Sequence, residues 1–248
     1  MPSSYHAGFK QGILHTICAT KPFQGPKSRD VLCAAFGDAP TELKYYRFME
    51  YDWNGVPLII SRTGWSSELG YEIFLRDGSH GDRLWEHLMA VGTPLGLKSG
   101  YTSSIRRIEA GMLSYHADMT LANNPFEIGM GRLVDLDMDA DFVSKAALKK
   151  NQSCGSIPKI CRPRDRRRAV RGLQRFFWPV LSDGNQVGKV TSAIYSPRLE
   201  KNIALALVGI DYAGLGTALT LKKFNEMRGC KVVEIPFFDP KKSLASAS

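Results

Sequence analysis

The chain has 248 residues with a formal net charge of +9, 44% hydrophobic and 23% charged residues. At about 150 residues per domain this is one or two domains with a sizeable core, and the composition excludes global disorder, collagen-like repeats and a disulfide scaffold. The longest apolar runs, such as residues 56–60, fall far short of the roughly 20 residues that cross a bilayer, and residues 1–20 lack an apolar signal core. No membrane partner is therefore expected, and a cytoplasmic location is. Cys18, Cys33, Cys154, Cys161 and Cys230 form no CxxC pair and accompany no matched histidine pair, so they read as free thiols, with no metal site expected.

In chain order, residues 27–36 place Val31, Leu32, Ala35 and Phe36 on one helical face, and Gly37-Asp38 supplies a stop. Asn54-Gly55 between residues 45–51 and 56–61 predicts a hairpin, and residues 71–75 a further strand. Leu84, Trp85, Leu88 and Val91 recur at helical spacing over 81–91, and a second helix is expected over 102–110 before Gly111. After residue 175 the pattern changes to short strand-like runs at 186–195, 203–211, 218–224 and 230–235, which predict a small antiparallel β-barrel or sandwich followed by a polar tail after Asp239.

The positive charge is concentrated. Eleven Lys or Arg stand between Lys145 and Arg175 against one acid, Asp165, so the remainder is close to neutral. Such a tract can track phosphates, but Pro158 and Pro163 interrupt any helix and no aromatic precedes Phe176 within it. It reads as a solvated or anomalous linker, and no nucleic-acid partner is expected. His80, His87 and His116 fall in no triad spacing with a nucleophile and read as surface or satisfied core histidines. Gly64, Gly70 and Gly111 do not make the GxGxxG phosphate loop.

Several ordered strings carry a resemblance: residues 24–30 (QGPKSRD), 61–73 (SRTGWSSELGYEI), 107–112 (RIEAGM), 124–129 (NPFEIG), 141–148 (DFVSKAAL), 188–192 (GKVTS) and 195–197 (YSP). They resemble the folate-dependent methyl and aminomethyl transferase family of the glycine-cleavage T-protein over residues 23–150 and 176–240. Trp65 with Ser66-Ser67, residues 105–109 and residues 133–137 are more similar to the dimethylsulfoniopropionate demethylase branch. The resemblance implies an α+β fold: ferredoxin-like α/β domains of the T-protein cloverleaf, followed by a small antiparallel β-barrel. It divides the chain into a non-family stretch (1–22), a folate-binding α+β domain (23–150), a basic linker (151–175) and a barrel domain with a polar tail (176–248).

The implied activity is transfer of a methyl group from a small-molecule sulfonium donor to tetrahydrofolate, without metal or flavin. An aminomethyltransferase of the glycine cleavage system and a non-catalytic folate-binding module are the alternatives. A pterin presents adjacent donors that a carboxylate accepts in bidentate fashion, and Glu72 matches the family's pterin-contacting glutamate. On a strand it shares a face with Phe74 and not with Tyr71; an exposed strand acid is the plainer reading. Trp65 follows a glycine, where its indole can hold a sulfonium by a cation–π contact, or simply be a core or rim tryptophan. Trp65 and Phe74 are thus the expected substrate-side residues. Arg62 is expected either at the folate glutamate tail or as a strand-end arginine on a solvated face. Tyr195-Ser196-Pro197 is a barrel turn, with or without a place beside the tunnel.

The resemblance also implies what is missing. The family's catalytic aspartate precedes the Gln24-Gly25-Pro26 string and has no match here, so no catalytic residue is assigned, and the chain is expected to be N-terminally truncated. The folate arginine of T-protein falls on Ser103. Out-of-frame translation of residues 1–22 and 151–175, or an N-terminal domain supplied by a separate polypeptide, would each account for these departures.

Overall fold

The computed structural model describes residues 19–100, 103–151, 160–163 and 177–246. The expectations for residues 1–18, and for most of 151–175, lie outside them. The chain divides into two compact units, Met1–Thr102 with Lys241–Ser248, and Ser103–Pro240. This grouping places its boundary ahead of the 103–150 segment, whereas the sequence strings place it at the basic tract.

The first unit contains β1 (Ala19–Gln24), α1 (Ser28–Phe36), β2 (Phe48–Trp53), β3 (Val56–Ser61), β4 (Gly70–Leu75) and α2 (Gly81–Gly92). The strands form an antiparallel sheet in the order β1-β4-β3-β2. Period-two alternation sends Leu58, Ile60, Tyr71, Ile73 and Leu75 to one face, where Leu32 and Phe36 of α1 and Leu84 and Leu88 of α2 complete the core. Asn54 and Gly55 have φ of 52° and 79°, the left-handed conformation that a two-residue hairpin turn demands. β1 escaped the sequence reading because its residues do not alternate; it lies at the sheet edge, where a proline such as Pro22 is tolerated.

The tail after Asp239 is more than polar. A helical turn, α5 (Ser243–Ser246), belongs to the first unit and buries Ala245. In the same core the Tyr71 ring is fully buried, and its hydroxyl has no hydrogen-bond partner among the described residues. Tyr71→Phe removes a desolvated hydroxyl and is expected to leave stability unchanged or raise it by about 1 kcal/mol in a urea melt.

The second unit contains α3 (Ser104–Glu109), α4 (Lys145–Asn151), β5 (Ile160–Pro163), β6 (Trp178–Ser182), β7 (Asn185–Ser196), β8 (Lys201–Val208), β9 (Ala218–Lys223) and β10 (Glu226–Val233). Its six strands run in the order β5-β10-β9-β6-β7-β8, and β5 also lies beside β8, so the sheet curls into the expected barrel. Val180, Val190, Ala206, Leu219 and Val232 fill the inside, while Ile108 of α3 packs on Ile203 and Leu205.

Two expectations need correction here. Part of the stretch read as linker is a strand, because Ile160–Pro163 pairs with Val233–Cys230 of β10, a partner some seventy residues away that local composition does not reveal. The strand expected over 203–211 ends at Val208, where the Gly209 amide turns to donate to the Val187 carbonyl at 3.0 Å and a 3-10 turn follows. Among the described residues no helix is long and apolar enough to cross a membrane, and no cluster of three or more His, Cys, Asp or Glu could hold a metal ion. Cys33 is a free thiol.

Candidate functional site

The face of the first sheet opposite its helices carries Phe48, Ile59, Ser61, Glu72 and Phe74. Cross-strand register sets Ser61 opposite Glu72 and Ile59 opposite Phe74. Phe48 is exposed; Ile59, Glu72 and Phe74 are half-buried. Glu72 is therefore half-buried on a face it shares with Ile59 and Phe74, with Ser61 directly opposite, where a carboxylate interacts more strongly with a ligand's donors than in open water.

One oxygen of that carboxylate is already oriented. Glu72 Oε2 accepts a short hydrogen bond from the Thr63 hydroxyl, and Ser61 Oγ stands 2.6 Å from Thr63 Oγ1. With the Thr63 proton directed to Glu72, Ser61 is the donor of the second bond. Glu72 Oε1 has no hydrogen-bond partner among the described residues. The site thus presents a carboxylate of fixed plane with an acceptor to spare.

Thr63 begins an irregular loop, residues 63–69, that carries Trp65. The Gln24 carboxamide reaches into this loop from the end of β1: Nε2 donates to the Thr63 carbonyl at 3.3 Å, and Oε1 accepts from Ser66 Oγ at 2.7 Å. At the far end the Gly25 amide donates to the Leu69 carbonyl at 2.8 Å. The Gln24 carboxamide lies against both Gly64 and Gly70. A Cβ would lie 2.3 Å from Gln24 Oε1 at Gly64, and 2.5 Å from Gln24 Cδ at Gly70. Gly64→Ala is expected to push the Gln24 carboxamide aside and lose its two hydrogen bonds, at a cost of about 1 kcal/mol seen as a lowered Tm.

Trp65 is 39% exposed and lies on the loop surface. Arg62 departs from the solvated-face expectation: it is 3% exposed, and its Nη1 and Nη2 donate to the Leu43 and Ala245 carbonyls at 3.0 and 3.2 Å. His87 behaves as a satisfied histidine, with Nε2 2.9 Å from the Ala35 carbonyl.

The remaining polar residues of the sequence strings form a buried joint within the second unit. Arg107 Nη1 donates to Asp118 Oδ2 at 2.7 Å, and its Nη2 to Ser192 Oγ at 2.8 Å. Asp118 Oδ1 accepts from Thr191 and Ser192 at 2.7 and 2.6 Å. Glu109, 2% exposed, accepts from Ser196 Oγ at 2.5 Å and from Arg106 at 3.1 Å. These groups are satisfied by one another, so the joint fastens α3 to β7 rather than offering chemistry to a ligand. Gly111 follows α3 with φ of 68°, its absent Cβ 3.2 Å from Ile235.

The family model of the GCVT N-terminal domain matches residues 17–138, and that of the glycine cleavage T-protein C-terminal barrel domain matches residues 166–239. The chain belongs to the glycine-cleavage T-protein family. Over 231 residues it is 33% identical to the dimethylsulfoniopropionate demethylase DmdA of Ruegeria pomeroyi, covering 92% of this chain and 61% of that protein. An aminomethyltransferase of Bacillus cereus is 32% identical over 219 residues, or 87% of this chain and 58% of that protein. The solved glycine cleavage system aminomethyltransferase T of Bartonella henselae superposes with a TM-score of 0.74 at 21% identity, over 90% of this chain and 60% of that one, and shares the fold. This T-protein family chain therefore spans 58–61% of the length of these relatives. The family matches begin at residues 17 and 166, ahead of residues 23 and 176, where the resemblance first becomes legible in the strings.

Sequence reasoning singled out Glu72 but overlooked Gln24, Thr63 and Ser61. The available signal was period two for Ser61, which ends its strand as the cross-strand neighbour of Glu72; Thr63 lies past the strand end and carried no such signal.

Proposed function

We propose that this chain forms the pterin-holding part of a tetrahydrofolate-dependent methyltransferase that takes its methyl group from a sulfonium donor of the dimethylsulfoniopropionate type. The observation that carries the reading is the half-buried Glu72 carboxylate, with Oε2 held by Thr63 and Oε1 left to accept from a donor edge. A pterin amino-pyrimidine supplies such an edge. Phe74 and Ile59 offer flat apolar contact to the ring, and the exposed Trp65 indole suits a sulfonium cation, a contact worth roughly 0.5–2 kcal/mol. Tetrahydrofolate supplies the nucleophilic N5 that accepts the methyl group. The protein's part is to hold and orient the reactants.

In this reading Arg62 pins the C-terminal turn, no residue of the chain is the catalytic acid or base, and turnover needs a polypeptide carrying the region of the relatives outside the match. The Trp65-Ser66-Ser67 string, more similar to the demethylase branch, is what favours a sulfonium donor over an aminomethyl-lipoyl one. The test is anaerobic titration of the full chain with tetrahydrofolate, followed by turnover assays with the complementing region added. Formation of 5-methyltetrahydrofolate from dimethylsulfoniopropionate supports the proposal. Ammonia release dependent on a lipoyl carrier protein would replace it with the aminomethyltransferase reading, and binding without turnover in any mixture would leave a folate-binding module.

A further inference from the structure

We propose that Gln24 is a positioning residue for the pterin site, acting through Thr63 on the carboxylate of Glu72. The inference rests on the reading of Glu72 given above.

Glu72 is oriented by the Thr63 hydroxyl, and Thr63 stands at the start of a loop with no regular backbone ladder of its own. The backbone of Thr63 is held by the Gln24 amide nitrogen at 3.3 Å, while the amide oxygen of Gln24 takes the Ser66 hydroxyl at 2.7 Å. Both ends of the carboxamide are thus used on the same loop, on either side of Gly64 and Trp65. The fit is close enough that neither Gly64 nor Gly70 has room for a Cβ. The Gly25 amide and the Ser28 hydroxyl, which both donate to the Leu69 carbonyl, secure the other end of the loop and do not reach Thr63. Ser61 meets the Thr63 hydroxyl directly, whereas Gln24 is the side chain that holds the Thr63 backbone from which that hydroxyl projects, and through it bears on the plane of the carboxylate. Shape alone would be met by any unbranched side chain of this length; positioning requires the two hydrogen bonds.

The experiment is a double-mutant cycle on the full chain, read as the equilibrium dissociation constant for tetrahydrofolate. Gln24→Met keeps the volume between the two glycines and loses both bonds; Gln24→Ala loses volume as well. Each is made with Glu72 and with Glu72→Gln. A side chain that acts through another gives coupled rather than additive effects, so Gln24→Met is expected to weaken binding about fivefold or more beside Glu72 and less than about twofold beside Glu72→Gln. Equal losses in both backgrounds overturn the proposal, as does unchanged affinity in Gln24→Met. Loss of the cooperative unfolding transition in both variants also overturns it, since Gln24 then serves folding alone. If Glu72→Gln itself binds tetrahydrofolate like the parent chain, the reading of the site fails, and the role of Gln24 falls with it; a large Glu72→Gln loss with additive Gln24 effects sinks the role of Gln24 alone.

Discussion

Asp118→Ala is expected to cost about 3–5 kcal/mol of stability, a large share of the 5–15 kcal/mol that holds an ordinary domain together. Asp118 is 2% exposed and each of its oxygens is doubly engaged. Oδ2 accepts from Arg107 and from the Ser114 amide at 2.9 Å, and Oδ1 from the Thr191 and Ser192 hydroxyls. Alanine at this position leaves the 5% exposed Arg107 guanidinium buried without its carboxylate and strips the Ser192 hydroxyl of its acceptor, while Thr191 keeps the Leu205 carbonyl at 3.1 Å. Urea denaturation checks this through the shift in midpoint. Alanine at the exposed Asp139, by contrast, is expected to change stability by no more than about 0.5 kcal/mol. Replacing the pair together, as Arg107→Met with Asp118→Leu, is expected to recover much of the loss, because the desolvation cost of both charges disappears with them.

Glu72→Gln is expected to weaken tetrahydrofolate binding about tenfold to a hundredfold, the equivalent of the roughly 1.5–3 kcal/mol carried by hydrogen bonds to a charged group. The substitution is isosteric. Its carboxamide oxygen can still accept from Thr63, but its NH2 group then turns toward the pterin's own donors, and repulsion replaces attraction. Global stability is expected to change little, because Glu72 is half-buried and Thr63 keeps a partner. Titration calorimetry under anaerobic conditions measures the first effect and a thermal melt the second. An unchanged affinity would remove Glu72 from the ligand site.

Where structure depended on neighbours in sequence, it was legible in advance. The Asn54-Gly55 hairpin, α1, α2 and β4 lie within a few residues of the positions their apolar spacing and turn residues predict, since period and turn chemistry are local properties. Glu72 and Phe74 share a face for the same reason. What stayed hidden depends on partners far along the chain. Asp118 looks like any loop acid until β7 brings Thr191 and Ser192 to it, 73 and 74 residues later. Arg62 looks solvated until Ala245 returns 183 residues further on to accept its Nη2. β5 reads as part of a basic linker until β10 supplies its register. Gln24 carries no chemical signature by itself; its use is visible only once two glycines and two loop acceptor and donor groups are seen around it.

The return of α5 to the first unit makes that unit from two separate stretches of chain, with the barrel unit inserted between them in sequence. No single cut then yields both units intact. A fragment ending near residue 102 would lack the Ala245 carbonyl on which Arg62 spends one of its donors, and would bury a cation with less to satisfy it. Dissection by expression therefore calls for a circularly permuted first unit, with residues 241–248 joined ahead of residue 19.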